Sequence, residues 1–388
     1  MASFCDFPKE IVENIMVFVP ADSLLQLKLV NKFCYSLISA LINHPAFVAN
    51  HLVTAKNQSS ASLLFRTPYA HVDRRFIAFP LLTILYDYGK NDHFKAVTTP
   101  ICIPLIKNEM YESMDPWEEI YHCDGLILLV KNLGTMVLCN PSLKESMVLP
   151  EPESAIIEGP PSVMGFGFDS ENNDYKCVAI WCQNDCKVEI YSMDSNSWRE
   201  INMSQQIKEL IVFAHLFNDL CWRGVCYWIV CNPETYEFEI ILSLNLSNEE
   251  FHLIFLPELI NFEDMTLHYY QCHLSVMNDS VVMYLTSEGD NSHEYHFFVM
   301  DEACVGVKDA RCWTEYFYVG PLENVKDVLS LWKNDEILVE ARKDGHVQLM
   351  SCNIRTQNLK DVDCNLDRIR WYDWYCFYVK SLISIRRS

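Results

Sequence analysis

Three groups of residues have the types that catalysis or metal binding uses. His122-Cys123-Asp124 puts a base, a nucleophile and an acid in one tripeptide. Neighbours on an extended chain point to opposite faces, so a tripeptide cannot fold its own side chains into a triad. Cys182 and Cys186 are four apart, and Cys221, Cys226 and Cys231 five apart. Neither set matches the Cys-x-x-Cys pairs of zinc sites, and both read as core or strand cysteines. Gly165-Phe166-Gly167-Phe168-Asp169-Ser170 starts like a dinucleotide loop but lacks its third glycine and lies among strand signals. It is expected to be a turn between strands. There is no Gly-x-Ser-x-Gly elbow and no His-Glu-x-x-His. The expectation is a non-catalytic chain with no cofactor and no metal.

Composition narrows the class. The chain has 388 residues, 50% of them hydrophobic and 21% charged, enough apolar surface for about two folded domains. Thirty basic against 52 acidic side chains leave a net charge of −22. Such a surface repels a phosphate backbone, so no nucleic acid is expected as a partner; a basic protein suits it better. Seventeen cysteines cannot all pair within one chain. No basic segment followed by an apolar run opens the sequence, and no run reaches the ~18–20 apolar residues of a bilayer span. A reducing setting is expected, cytoplasmic with the nucleus as the alternative, with no membrane partner, free buried thiols and unused sequons at Asn57, Asn202 and Asn245.

The first fifty residues are expected to be helical. Pro8 and Glu10 suit a helix start, and Ile11, Val12, Ile15 and Val19 recur at spacings of three and four. Pro20 ends that helix. Asp22 or Ser23 can cap a second with Leu24, Leu25, Leu27 and Leu29; Asn31 can cap a third with Tyr35, Ile38 and Ile42. Pro45 to Leu52 suits a last short helix. Such short helices cannot bury this much apolar surface alone. The surplus either packs on the next domain or docks a helical partner.

Phe7-Pro8-x-Glu10-Ile11-Val12-x-x-Ile15-Met16, Val19-Pro20-x-x-x-Leu24 and Lys28-Leu29-Val30-Asn31-Lys32 together resemble the F-box over roughly residues 4 to 45. Phe7 and Val19 stand where that family has Leu, and Cys34 where it has Trp. The resemblance implies binding to a Skp-family adaptor and, through it, a cullin-RING ubiquitin ligase. Phe7, Pro8, Ile11, Val12, Ile15, Pro20, Leu24, Leu27, Val30 and Lys32 are the implied adaptor contacts. The apolar ones among them either face the adaptor or hold the helices together.

The F-box is assigned to residues 1–53. Thr54 to Ser62, small, polar and aperiodic, is read as a linker 54–62. Residues 63–388 read as short strands rich in Val, Ile, Tyr, Phe and Trp. Turn openers Asn140, Asp194, Asn245, Asp301 and Asn353 recur about 51 to 56 residues apart. A second register, Gly125, Asn172, Gly224, Asn278 and Asn334, interleaves with the first. The fold class expected is α+β multidomain: a three-helix F-box, then a mainly-β, kelch-like, propeller-type domain of about six four-stranded blades. A pair of β-sandwiches is the alternative. Ring closure needs the strand near Leu63-Leu64-Phe65 to join the last one, near Tyr375 to Val379.

Cys123-Asp124-Gly125-Leu126, Leu138-Cys139-Asn140-Pro141, Asn173-Asp174-Tyr175-Lys176, Ile190-Tyr191-Ser192-Met193 and Tyr378-Val379-Lys380-Ser381-Leu382 resemble the plant F-box-associated repeat domain. Behind an F-box, that order looks like the S-locus F-box proteins of pollen. The resemblance implies a ligase subunit that recognises non-self pistil S-ribonucleases in self-incompatibility. A receptor for another intracellular plant protein and a sugar-binding propeller are the alternatives. Residues 1 to 50 carry three Lys and four acidic side chains, so nearly all the negative charge lies beyond them. Glu109, Glu112, Asp115, Glu118 and Glu119 form one acidic cluster, Glu151, Glu153 and Glu158 a second, and Asp361, Asp363 and Asp367 a third. They are either a solvated face or a surface for a basic ligand, such as the typically basic pistil ribonucleases of the implied family. Glu112, Asp115, Trp117, Glu118 and Glu119 are the candidate substrate contacts, with Trp117 either an anchor or a core side chain.

Overall fold

The computed structural model describes residues 8–57, 61–65, 71–73, 76–87, 93–104, 119–130, 135–183, 185–232, 238–257, 271–288, 292–304, 312–331, 335–343, 346–363 and 375–386. The chain divides into two compact units. The first comprises Met1–Lys131, Thr135–Leu149 and Asp367–Ser388, and the second Asn132–Gly134 and Pro150–Leu366.

The first unit opens with four helices: α1 (Lys9–Met16), α2 (Ala21–Leu27), α3 (Lys32–Ile42) and α4 (Pro45–Lys56). Pro8 and Pro20 occupy the N-cap positions of α1 and α2, and Pro45 opens α4, where a missing N–H leaves no bond unmade. Asp22 and Ser23 therefore lie inside the first turn of α2 and do not cap it. Asn31 caps α3 as expected, its side-chain oxygen accepting from the Cys34 N–H at 2.8 Å. Val12, Met16, Ala21, Leu24, Ile38, Leu41 and Phe47 form one core with Leu382 from the far end of the chain. His51 on α4 is buried and bonds the Val19 carbonyl at 2.8 Å, tying α4 to the α1–α2 turn. The expected linker is shorter than its composition implied. α4 runs through Thr54–Lys56, and the next strand opens at Ala61. Thr, Ala and Lys are small or polar but do not break a helix, and the stretch holds neither Gly nor Pro.

Four strands follow: β1 (Ala61–Phe65), β2 (His71–Asp73), β3 (Phe76–Asp87) and β4 (His93–Pro104). β3 and β4 are 12 residues each and pair along their whole length, from Phe76↔Pro104 to Asp87↔His93. β1 lies between β3 and the C-terminal strand Tyr375–Phe377, with Leu63 opposite Phe377 and Phe65 opposite Tyr375. These are the two segments expected from the sequence to join. β5 (Glu119–Cys123), β6 (Leu126–Val130), β7 (Met136–Asn140) and β8 (Glu145–Val148) then form a four-stranded antiparallel meander.

Residues 378–386 run along this meander as irregular chain. Asn140 Nδ2 donates to the Ser381 carbonyl at 3.2 Å and to that of Ile383 at 2.7 Å. Glu145 accepts from the Ser384 hydroxyl and the Ile385 N–H, each at 2.9 Å. The Lys380 ammonium reaches Asp22 on α2 at 2.6 Å. Gly125, at φ +83, sits where the tail crosses the β5–β6 turn, and a Cβ there would collide with the Val379 carbonyl.

The second unit repeats the meander. α5 (Glu153–Glu158) leads into β9 (Val163–Asp169), β10 (Asp174–Trp181), β11 (Lys187–Ser192) and β12 (Ser197–Glu200). α6 (Gln205–Ile211) leads into β13 (His215–Trp222), β14 (Val225–Cys231), β15 (Phe238–Asn245) and β16 (Phe251–Phe255). β17 (Gln271–Met277), β18 (Ser280–Glu288), β19 (Ser292–Met300) and β20 (Trp313–Glu323) make the next. β21 (Val325–Leu331), β22 (Glu336–Lys343), β23 (His346–Asn353) and β24 (Leu359–Asp363) make the last. Successive meanders share cores. Ile190 and Val178 pack with Trp228 and Leu242; Ile229 and Ile241 with Met283 and Phe298; Tyr284 and Phe297 with Val339 and Cys352. Indole N–H groups bridge the same boundaries: Trp228 donates to the Met164 carbonyl at 2.7 Å, and Trp313 to that of Phe255 at 3.1 Å.

Side chains stand in for glycine in the turns. The Asn140, Asn245 and Asn353 side-chain oxygens accept from backbone N–H groups two and three residues on, at 2.8–3.4 Å. Four residues after each, Lys144, Glu249 and Gln357 take positive φ. In the other register, Asp124-Gly125, Arg223-Gly224 and Asn278-Asp279 carry paired positive φ, which matches the twist of a tight hairpin.

Two further expectations are corrected. Gly165 to Asp169 is the body of β9, and the turn begins at Ser170. The glycines are needed because the next meander packs flush on β9. A Cβ on Gly165 would stand 2.8 Å from the Trp228 ring, and one on Gly167 would collide with the Cys221 thiol. The described residues also form five four-stranded meanders, not about six. The irregular start does not supply another, because its residues go into the long β3–β4 hairpin and the closing strand β1.

Candidate docking site

Apolar residues on the first helices separate into two stripes. Val12 and Leu24 are 1% and 0% exposed and carry the four-helix core. Leu27 packs against that core and is half-buried. Ile11 and Ile15, each 47% exposed, continue to Phe18 at 68%, at helical spacings of four and three. Leu29 and Val30, between α2 and α3, are 85% and 64% exposed, and Phe33 and Tyr35 add aromatic surface at the start of α3. Pro8, Pro20 and Lys32 are exposed, and Phe7 lies outside the described residues. Of the implied contacts, Pro8, Ile11, Ile15, Pro20, Val30 and Lys32 therefore lie at the surface, whereas Val12 and Leu24 hold the helices together. Phe18, Phe33 and Tyr35 were not singled out as contacts. The signal for Phe18 was its position three residues after Ile15, on the same face.

An exposed apolar surface of this kind has no chemistry of its own; burying it against a partner is its favourable reaction. The Lys28 ammonium lies over the Tyr35 ring, 5.2 Å from its centre.

The other candidate residues are dispersed. Glu112, Asp115, Trp117 and Glu118 lie outside the described residues; Glu119 is exposed at the start of β5 and accepts a hydrogen bond from the Tyr121 hydroxyl. Asp124 sits in the β5–β6 turn with Lys56 at 2.5 Å. Burial depresses the His122 imidazole to about 4 despite the nearby Asp124 charge, so it is neutral at physiological pH. The Cys226 thiol donates to Cys221 Sγ at 3.3 Å across β13–β14, and Cys182 and Cys186 are buried. Burial pushes the Cys139, Cys177 and Cys272 thiols up, away from the thiolate form. Among the described residues no group of three or more His, Cys, Asp or Glu side chains could hold a metal ion. In the third acidic cluster Asp361 is paired with Lys343 at 2.6 Å.

Comparison with known proteins agrees with this anatomy. The model of the F-box domain matches residues 4–45, and that of the F-box associated beta propeller domain matches residues 90–385. Curated relatives from Arabidopsis thaliana include putative F-box only protein 9, 23% identical over 68% of this chain and 65% of its own length. The chain thus spans just under two thirds of that relative. F-box protein CPR1 is 23% identical over 82% of this chain and 74% of its own length. A putative F-box/kelch-repeat protein is 22% identical over 81% and 76%. Among solved structures, TolB from Acinetobacter baumannii superimposes with a TM-score of 0.39 at 9% identity, covering 81% of this chain and 69% of its own, a likeness too slight to carry an argument. The chain belongs to the F-box associated beta propeller family and carries an F-box ahead of that domain.

Proposed function

We propose that this protein is the substrate-recognition subunit of an SCF-type ubiquitin ligase. The carrying observation is the surface formed by Ile11, Ile15, Phe18, Leu29 and Val30, exposed within a matched F-box. A helical Skp-family adaptor would cover it, connecting the chain to the cullin-RING machinery that performs the ubiquitin chemistry. The meanders would present the substrate, which makes the chain an adaptor without a reaction of its own. The test is co-purification with a Skp-family adaptor. Ile11→Asp/Ile15→Asp should abolish it; undiminished co-purification would overturn the reading.

Within that role we propose the S-locus branch, acting in the pollen-tube cytosol on a basic pistil S-ribonuclease. The charge of −22 and the motif around Tyr378 to Leu382 support it. Binding of the adaptor-bound chain to a panel of pistil ribonucleases at two salt concentrations tests it. Selective binding that weakens with salt is expected. No binding to any member would move the substrate to another intracellular protein.

A further inference from the structure

β20 is an edge strand of the β17–β20 meander and, among the described residues, has β19 as its one ladder partner. It is long for that place. β20 spans 11 residues, whereas the last strands of three other meanders, β8, β12 and β16, span four, four and five. Natural edges are kept short or carry Lys or Pro, because unpaired N–H and C=O groups invite another strand. The one proline of β20, Pro321, stands near its end, and neither β19 nor β20 holds a Lys or Arg. The stretch from Thr314 to Tyr318 is thus an open template, with Thr314, Glu315, Tyr316 and Tyr318 exposed.

A bulge gives this edge two different faces. The β19–β20 register shifts between Phe297 and Phe298, where Tyr316 is the extra residue. Glu315 and Tyr318, three apart, therefore share a face. Contacts join them there. His296 Nδ1 donates to the Glu315 carboxylate at 3.3 Å, the His296 and Tyr318 rings are 4.9 Å apart, and the Tyr318 hydroxyl bonds Glu294. On the other face the Tyr316 and Phe317 rings lie 3.9 Å apart, and the Arg355 guanidinium stands 5.1 Å from the centre of the Phe317 ring. That cation is already paired with Asp335. Tyr316 and Tyr318 remain 41% and 42% exposed.

The two faces select the occupant. A strand added along β20 sets alternate side chains beside Glu315 and Tyr318, where a carboxylate and an aromatic ring both favour Lys or Arg. The side chains between them lie beside Thr314 and Tyr316, where β-branched or aromatic residues pair best. A second copy is disfavoured, because two β20 edges laid together bring their acidic faces together. We infer that the free edge of β20 takes up an extended basic segment of a partner protein as a fifth strand of this meander, with its Lys or Arg residues on the side of Glu294, Glu315 and Tyr318 and its β-branched or aromatic residues on the side of Tyr316. This rests on the reading of the chain as a substrate receptor and places the substrate on it.

The test is selection of a random dodecapeptide library displayed on phage against the full chain. Enriched peptides should alternate Lys or Arg with Val, Ile, Thr or Tyr and lack internal Pro. A synthetic copy of the most enriched one should lose binding when one alternate set of its amides is N-methylated and keep it when the other set is, since the N–H groups of one set alone face β20. Glu315→Lys/Tyr318→Ser, at two exposed positions, should weaken its binding about tenfold or more while the melting temperature stays near that of wild type. Acidic consensus peptides, equal effects of the two methylated sets, or wild-type affinity for the variant would overturn the inference. So would no enrichment at all; a free chain that then sediments as a dimer would give the edge to a second copy. Failure of the wild-type chain to capture a Skp-family adaptor, with peptide binding retained, would overturn the ligase reading and leave this edge standing.

Discussion

The Lys176 ammonium stands 2.7 Å from the Asp169 carboxylate with the two side chains 8% and 0% exposed. Asp169 ends β9, and the same pair reaches into the next meander: Lys176 donates to the Leu246 carbonyl at 2.7 Å, and the Ser247 hydroxyl to Asp169 at 2.6 Å. Burial alone would raise the Asp169 carboxyl, but Lys176, Ser247 and Asn172 hold it well below the usual carboxylate range. Two meanders are thus joined by a buried charge with all its neighbours supplied.

Lys176→Met should therefore be costly. It leaves a carboxylate in the interior without its cation, a change worth about 3–5 kcal/mol in other buried pairs. Urea unfolding would show the midpoint fall, and Asp169→Asn added to Lys176→Met should recover part of the loss. Because the folded pKa of Asp169 lies below the unfolded one, its contribution is complete above about pH 4 and is lost as pH falls below that. An unchanged midpoint for Lys176→Met would show that the meanders are held by their apolar cores alone.

Acid should weaken the fold earlier, through histidine. His51, His122 and His273 are all depressed by burial, the latter two to about 4. The unfolded chain binds protons near pH 6.5 while the folded one does not. Stability is thus full above about pH 6.5 and falls between there and about pH 4, by up to ~1.4 kcal/mol per pH unit for each histidine. Melting temperatures from pH 7.5 down to 4.5 would show this slope. His273 stacks on Tyr284 with ring centres 4.9 Å apart, so His273→Phe should keep the stack and flatten the slope.

The two apolar stripes of α1 predict opposite failures. Val12→Ala should cost about 1–3 kcal/mol of stability, since a buried side chain leaves a cavity, and should spare adaptor binding in whatever remains folded. Phe18→Ser and Leu29→Ser should leave the melting temperature nearly unchanged and weaken adaptor capture. Calorimetry and co-purification on the same preparations separate the two. If Phe18→Ser and Leu29→Ser capture the adaptor as well as wild type does, the docking surface lies elsewhere.

What could be read in advance follows from where each constraint originates. Asn140, Asn245 and Asn353 were legible because the side chain itself closes the turn, so residue type and conformation are one fact. The pairing of β1 with Tyr375–Phe377 was legible because two strands at the ends of a repeat each expose an edge that the other can pair. Val12 and Ile11 were not distinguishable, because adjacent apolar residues fit either face of a short helix. α5 and α6, at six and seven residues, are too short to show a period, and Glu189 holds α5 from 35 positions away in sequence. Gly167 was misread for the same reason: the demand for glycine comes from Cys221 on another meander, not from its own strand.

That last relationship is open to a double-mutant cycle. Gly167 lies inside β9 without positive φ, so its need for glycine is steric rather than conformational. An added methyl would collide with the Cys221 thiol and stand 2.9 Å from Leu246 Cδ1. Gly167→Ala should thus destabilise the chain by about 1–3 kcal/mol through overpacking. Cys221→Ala removes the colliding sulfur and, with it, the acceptor of the Cys226 thiol hydrogen bond, so alone it should cost little. Combined, the two changes should cost less than their sum by about 1 kcal/mol or more, because the new methyl occupies the space the sulfur leaves. Strict additivity in urea unfolding would mean that Gly167 is required by Leu246 or by the strand itself, and the account of β9 as a strand packed flush on its neighbour would fall with it.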